Sequence, residues 1–383
     1  MKANWNYPTN VHAGAGRVSE LPDMCRDLNI GAPLLVTDPG LAGLPMLVDI
    51  VANCEQAGLR IGIFSDIKAN PSGTNVIDGV EVYRAGNHDG VIAVGGGSGL
   101  DAGKAIAVIA NQTCSLWDLE DIGDNWLNAD GEKIPPIIGI PTTAGTGSEV
   151  GRASVIVNEA EHKKVIIFHP KMLPSSVILD PELTVGLPAG LTAATGMDAL
   201  SHNLEAFCSP VYHPMAEGIA IEGIRLIKEF LPAVVADGSD LEARTQMIVA
   251  SSMGATAFQK GLGAMHALSH PLGALYDAHH GMLNAILMPY VLRANYSEIK
   301  TPIARLARYL DLDPDFDAFL NWVLSMREQI GIHHQLSAII PEDSRLVEIG
   351  EMAVVDPSAA TNPILHDAAT YTGIARNAYN GEL

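Results

Sequence analysis

Four histidines, His266, His270, His279 and His280, fall within 15 residues, where an even spread of the chain's 13 would place about half of one. Earlier, the stretch GMDALSHNLEAF sets Asp198 and His202 four residues apart, on one face of a helix. One carboxylate and several imidazoles, offered by two distant segments, make the donor set of a mononuclear divalent-metal site. Such a donor set leaves coordination positions open and suits a Lewis acid working on a substrate oxygen. Spacing does not choose which two of the clustered histidines join Asp198 and His202, because His266 and His270 also stand one turn apart. His12, His88, His333, His334 and His366 lie outside the cluster and read as hydrogen-bonded core or surface residues.

A second centre lies in GVIAVGGGSGLDAGKAIAV, which runs from an apolar strand through a glycine turn into a helix. Gly95, Gly96 and Gly97 let a ligand approach the backbone closely, and the N–H groups of the helix start favour an anion. Ser98 is expected to cap that helix, with Asp101 three residues on in capping-box spacing. A magnesium-nucleotide loop is disfavoured, since it needs glycine where Ser98 stands and a hydroxyl where Ala105 stands. Residues 97–102 spell G-x-G-x-x-A, yet they follow the third strand, which makes the match weak for the usual dinucleotide fold. Asp38 ends the first strand, where a carboxylate can accept from both ribose hydroxyls of an adenosine and repel a 2′-phosphate. Capping of the Asp38-Pro39-Gly40 turn is an equal reading of the same residue. The loop PTTAGTGSEV adds hydroxyls at Thr142, Thr143, Thr146 and Ser148 for phosphate oxygens or a nicotinamide amide.

The elements that must hold these residues read as two domains, 1–187 and 188–383, divided near Leu187-Pro188. In the first, strand-like runs at 34–37, 60–64, 90–94 and 137–140 alternate with helical stretches, and each ends in turn chemistry. A hairpin pairing 153–157 with 164–168 and a strand at 177–179 follow. This is the pattern of a parallel α/β sheet, whose ligands bind beyond the carboxyl ends of the strands. In the second, Ile219, Leu226, Ile227 and Phe230 share a helical face that Pro232 is expected to stop, and 246–258 reads as a helix buried among others.

Composition narrows the function classes. With 48% hydrophobic and 17% charged residues the chain is globular, neither disordered nor a coiled coil. A formal charge of -21 argues against nucleic acid and anionic membranes as partners. Four cysteines without a C-x-x-C pair fit neither a disulfide framework nor a zinc ribbon, and a reducing, cytoplasmic location is expected. The N-terminus lacks the apolar core of a signal peptide, and no apolar run of membrane-spanning length appears.

The turn GGGSGLDAGK, the loop PTTAGTGSEV, the segment GMDALSHNLEA and the segment HALSHPLGALYDAHHGMLNAILMP occur in the order seen in the iron-containing (group III) alcohol dehydrogenases, which the chain resembles over nearly its whole length. The resemblance implies an α/β N-terminal dinucleotide-binding domain with a parallel sheet, followed by an all-α C-terminal domain, the dehydroquinate synthase-like fold. Carried over by motif, it implies Asp198, His202, His266 and His280 as metal ligands, with His270 near the substrate; an imidazole there is the catalytic candidate for relaying the hydroxyl proton, or else orients a ligand. Gly95, Gly96, Gly97 and Ser98 would hold the pyrophosphate, and Thr142, Thr143 and Thr146 would line the nicotinamide end, with Asp101 and Ser148 kept as cofactor-side candidates from the residue reading. Asp38 would favour NAD over NADP, and Lys164 matches a basic position near the cofactor. Iron(II) comes from the resemblance alone, since these donors equally accept zinc, manganese or cobalt.

The implied activity is reversible hydride transfer between NAD and a small alcohol, giving an aldehyde or ketone, in a homo-oligomer of two or more subunits. Two rivals stand beside it. A synthase of the dehydroquinate type also uses NAD and a metal, but its anionic, phosphorylated substrate fits poorly with the sparse Lys and Arg around the histidine segments. The other is a metal-dependent hydrolase that merely shares the glycine turn. Thr361-Asn362-Pro363-Ile364 stands where many relatives have Asn-Pro-Arg, which leaves the substrate open.

Overall fold

Branched apolar residues recur at short intervals through the first half of the chain, and they form strands because both faces of those strands find cover. The computed structural model describes residues 7, 9–161 and 163–383. It resolves into two units, Tyr7–Gly186 and Leu187–Leu383. The first contains strands β1 (Asn10–Ala13), β2 (Pro33–Val36), β3 (Gly62–Phe64), β4 (Gly90–Gly95), β5 (Ile137–Pro141), β6 (Ala153–Asn158), β7 (Lys163–Phe168) and β8 (Ser176–Leu179). Six of them form one sheet in the order β1-β8-β5-β4-β2-β3, with every pairing parallel. β6 and β7 form a separate antiparallel hairpin.

Every residue of β2, β4, β5 and β8 is buried, as a parallel sheet covered on both faces requires. Alternate side chains divide between two apolar layers: Leu34, Val36, Val91 and Ile137 in one, Leu35, Ile92, Ile138 and Ile178 in the other. Helices α1 (Leu21–Asp27), α2 (Pro39–Ala42), α3 (Pro45–Gln56), α4 (Gly73–Ala85) and α5 (Gly97–Ile109) complete the unit. β1 escapes the sequence reading because Asn-Val-His-Ala is mostly exposed; its register against β8, not an apolar pattern, makes it a strand.

The cap of α5 differs from expectation. Gly96 is the N-cap residue, and no side chain closes the helix. The Ser98 hydroxyl donates to the Ala69 carbonyl instead. Asp101 faces inward, accepting from the Ser148 hydroxyl and from the Val155 N–H of β6 at 2.9 Å. Lys104 Nζ lies 3.3 Å from Asp101 and donates to the carbonyls of Ser148 (3.0 Å) and Ala153. The capping-box spacing was met, but tertiary donors claimed the carboxylate. A buried lysine and carboxylate thus rivet the helix behind the glycine turn to the hairpin.

The second unit is built from α6 (Ala189–Cys208), α7 (Pro214–Ala236), α8 (Leu241–Ala257), α9 (Ala264–Tyr276), α10 (His280–Ala294), α11 (Tyr296–Tyr309), α12 (Phe316–Gln329), α13 (Leu346–Val354) and α14 (Ala368–Asn380), and no strand occurs in it among the described residues. α6 packs against α7, α8 and α10. Pro232 does not stop α7, which runs four residues beyond it. Burial of Leu231 and Val234 on either side of the proline outweighs the lost backbone bond. The buried residues of α7 are Ala216, Ala220, Gly223, Ile224, Leu226, Ile227, Leu231 and Val234; Leu226 and Ile227 are buried as expected, while Ile219 and Phe230 are only half-buried. Among the described residues, no helix is long and apolar enough to cross a membrane.

Replacing Asp101 with alanine strands the Lys104 ammonium in the interior, so urea unfolding should show a loss of about 3–5 kcal/mol. A loss below about 1 kcal/mol, the range of a surface pair, would mean that the rivet contributes nothing.

Candidate metal centre and dinucleotide cradle

α6 is buried on nearly all sides, and its polar residues are therefore selected by partners, not by water. Asp198 and His202 stand one turn apart on it, with side chains 6% and 5% exposed. The ligand atoms of Asp198, His202 and His266 all lie within 4.8 Å of one another. The His202 and His266 rings stack with centroids 4.8 Å apart. His280, the first residue of α10, brings Nε2 to 3.6 Å from Asp198 Oδ1. Its neighbour His279 is the N-cap of α10, where Nδ1 accepts from the Met282 N–H, so the structure brings His280 and not His279 to the cluster. Gly281 makes this approach feasible: a Cβ there would come within 2.4 Å of the Ala194 carbonyl oxygen on α6.

The donor chemistry fits a divalent cation. Asn284 Nδ2 donates to Asp198 Oδ1 at 2.8 Å and also lies 3.2 Å from His266 Nε2 and 3.1 Å from His280 Nε2. One amide with two hydrogens faces three acceptor atoms, while its own Oδ1 is buried without a hydrogen-bond partner. Burial works against the Asp198 charge, but His202, His280, His266 and the Asn284 bond outweigh it and hold the carboxyl at about 2. Burial pushes His266 well below its ordinary 6.5, which leaves a neutral imidazole with a lone pair for a metal. Asn284 was not foreseen, although its i+4 spacing from His280 was a readable signal.

Glu205 was also missed. It continues the Asp198–His202 face at i+7, and its Oε2 lies 2.6 Å from His266 Nδ1. Burial drives the carboxyl up to about 7, against N–H donors from Met265 and Gly263. His270 lies beside the cluster: its ring stacks on His280 at 5.4 Å, and Nδ1 sits 2.8 Å from Asp356 Oδ2. Burial opposes the Asp356 charge, but the His270 bond and the Ser358 N–H prevail and hold the carboxyl below its ordinary range. No local signal ties Asp356 to a histidine 86 residues earlier. Side chains of His270 and His280 are 32% and 37% exposed, whereas Asp198, His202 and His266 are buried, so the cluster opens on the His270 side.

In the first unit, β4 ends at Gly95 with φ +148, a conformation that side chains avoid. Thr142 N donates to the Gly95 carbonyl at 2.9 Å, joining the two polar turns at the strand ends. Thr146 presses on Gly97 so closely that a Cβ there would lie 2.8 Å from its hydroxyl, and Thr143 stands against Gly96. The first helical bond of α5 is Leu100 N to Gly96 O, so the N–H groups of Gly97, Ser98 and Gly99 precede it and point out of the helix start. This is a backbone anion cradle with two threonines at its rim. Ser148 and Asp101 lie behind it in the rivet. Asp38 Oδ1 caps α2 through Gly40 N (2.9 Å) and Leu41 N (3.2 Å), while Oδ2 is the atom near Gly95, 3.6 Å from where its Cβ would be. Lys164 is half-buried on β7, paired in register with Val157.

Residues 8–181 match the family model for iron-containing alcohol dehydrogenase, and residues 192–379 match that for the C-terminal part of the same family. The chain is 39% identical to a 4-hydroxybutyrate dehydrogenase of Cupriavidus necator, covering 95% of this chain and 97% of the relative. It is 36% identical to a 1,3-propanediol dehydrogenase of Citrobacter freundii, covering 96% of each. Among solved structures, a 1,3-propanediol oxidoreductase superposes with a TM-score of 0.94 at 34% identity, over 99% of this chain and 100% of the other. A sulfoacetaldehyde reductase from Bifidobacterium kashiwanohense, in complex with NAD+, gives 0.90 at 28% identity, over 99% of both.

The chain belongs to the iron-containing alcohol dehydrogenase family. It is an oxidoreductase that interconverts a small alcohol and its carbonyl product, dependent on NAD and a metal. The dehydrogenase reading thereby prevails over the synthase and hydrolase rivals.

Proposed function

We propose that this enzyme oxidises a short primary alcohol carrying a second polar end, and reduces the corresponding aldehyde, with NAD and iron(II). The convergence of Asp198, His202 and His266 within 4.8 Å in the helical interior is the observation that carries the reading. Asp198, His202, His266 and His280 hold the ion. The metal supplies Lewis-acid polarisation of the substrate oxygen, and NAD supplies the hydride acceptor. His270 takes the hydroxyl proton: with Nδ1–H donated to Asp356, its Nε2 keeps the lone pair that accepts. Its partial exposure supports passage of that proton to solvent.

Gly95, Gly96, Gly97 and Ser98 cradle the pyrophosphate through backbone N–H groups, with Asp101 and Ser148 bracing the cradle from behind. Thr142, Thr143 and Thr146 meet the nicotinamide end, and Lys164 stands near the cofactor. Asp38 accepts from the adenosine ribose through the oxygen that its turn does not use. Domain 1–187 thus binds NAD and domain 188–383 binds metal and substrate, in a cytoplasmic homodimer. The substrate class draws on the relatives named for 4-hydroxybutyrate and 1,3-propanediol, both of which have a polar group at the far end. NADH formation with 1,3-propanediol, 4-hydroxybutyrate and ethanol tests it: a higher kcat/KM for ethanol than for either would overturn the assignment.

His266→Ala should lose its metal and at least about 100-fold in turnover, more than loss of a supporting residue costs. Its NAD affinity, measured by fluorescence titration, should stay within about twofold. Reconstituting chelated enzyme with one metal at a time identifies the ion, and full activity with zinc alone would remove iron(II). Asp38→Asn keeps the acceptor for the Gly40 and Leu41 N–H groups but removes the charge. The ratio of kcat/KM for NADP over NAD should rise about tenfold or more, worth about 1.4 kcal/mol; an unchanged ratio would reduce Asp38 to a turn cap.

A further inference from the structure

The helix that carries His266 and His270 begins without a cap of its own. Gly263 occupies the N-cap position and has no side chain to offer the N–H groups of the first turn. Those groups are met from elsewhere in the unit. Glu205 Oε2 accepts from Gly263 N at 2.9 Å, Glu205 Oε1 from Met265 N at 2.7 Å, and Asn362 Oδ1 from Ala264 N at 3.0 Å. The fit leaves no room for a larger residue: a Cβ on Gly263 would lie 2.8 Å from Asn362 Oδ1 and 2.9 Å from Glu205 Oε1.

The Glu205 carboxylate therefore faces two backbone N–H groups, which can only donate. Its remaining close contact is His266 Nδ1, 2.6 Å from Oε2, with both side chains under 5% exposed. With the carboxyl ionised, the form its two backbone donors favour, the Nδ1 proton of a neutral imidazole satisfies that contact and leaves the lone pair on Nε2. A second contact suits the same tautomer: Asn284 Nδ2, a donor, lies 3.2 Å from His266 Nε2.

We propose that Glu205 is a positioning residue of the metal centre, which fixes the start of α9 and the tautomer of His266 together, so that Nε2 is presented unprotonated to the site shared with Asp198 and His202. The proposal rests on the reading of His266 as a ligand. It makes metal retention, and not only helix stability, depend on a side chain that touches no metal. Glutamine, of the same shape, cannot replace the carboxylate. Its single oxygen cannot serve donors on both sides, and its NH2 either opposes a backbone N–H or donates to Nδ1. In the latter case the imidazole proton moves to Nε2, and the lone pair is lost from the metal side.

The test compares the zinc affinity of wild type, Glu205→Gln and His266→Ala by chelator competition, at a temperature well below the melting of each metal-free protein. Glu205→Gln should bind zinc about 10–100-fold more weakly. A role confined to helix capping would lower the melting temperature of the metal-free protein and leave zinc affinity within about twofold of wild type, and that result overturns the proposal. Zinc retained by His266→Ala would instead defeat the ligand reading on which the proposal stands. A measurement on the unsubstituted protein covers the case in which Glu205→Gln does not fold. In the zinc-loaded, 15N-histidine-labelled enzyme, the resonance that His266→Ala removes should carry its proton on Nδ1; a proton on Nε2 would overturn the assignment.

Discussion

An ionised carboxylate taken into a helical interior costs several kcal/mol unless its charge is met, and Asp198 is 4% exposed. Its partners are imidazoles and one amide. A neutral imidazole supplies dipole but no net charge, and Asn284 spends two hydrogens on three acceptors. A cation adds net charge to what these neighbours already do for the carboxylate, and it takes the lone pairs that the amide cannot serve. Much of the packing of the unit follows from this. α6 must be central, since its charged residue can be shared only if α9 and α10 both reach it. Gly281 lets α10 come close to α6 beside Asp198, and Gly254 does the same for α8 beside His202.

The first unit solves the opposite problem, holding an anion in a chain with 44 acidic and 23 basic residues. The lysine nearest the glycine turn in sequence, Lys104, is buried on Asp101 and two carbonyls, and desolvation drives its pKa down. It serves the scaffold, not the ligand. What the turn offers is fixed partial charge, the N–H groups that precede the first bond of α5, held in place by contacts behind the helix. Rigidity substitutes for a basic patch, and that is compatible with the overall negative charge.

How legible each feature was follows the range of the interaction that makes it. Strands buried on both faces were readable because burial is written into their own residues: 90–94 and 137–140 are apolar and became β4 and β5. The histidine cluster and the Asp198–His202 pair were readable because ligation needs unusual residue types close together. Readings failed where a distant partner outbid a local rule. Ser98 and Asp101 satisfy the spacing of a cap, yet Ala69, Ser148 and Val155 claim their side chains. Pro232 should end a helix, but Leu231 and Val234 bury on either side of it. Asp356 lies 86 residues from His270, and no periodicity joins them. Glu205 is the instructive case, because its i+7 place on the Asp198 face was visible and only its partner, His266, was not.

The C-terminal segment that meets the start of α9 can be judged in the same terms. The stretch runs Thr361-Asn362-Pro363-Ile364, and what orders it is a side chain without charge. Asn362 answers for the backbone. Its Oδ1 accepts from Ala264 N and from Asn295 Nδ2, and its Nδ2 donates to Asn295 Oδ1 and to the Ile364 carbonyl. With four bonds and 3% exposure, this asparagine ties the start of α9 to the junction of α10 and α11. Three backbone and side-chain groups from separate stretches are thus held by one uncharged, fully bonded residue.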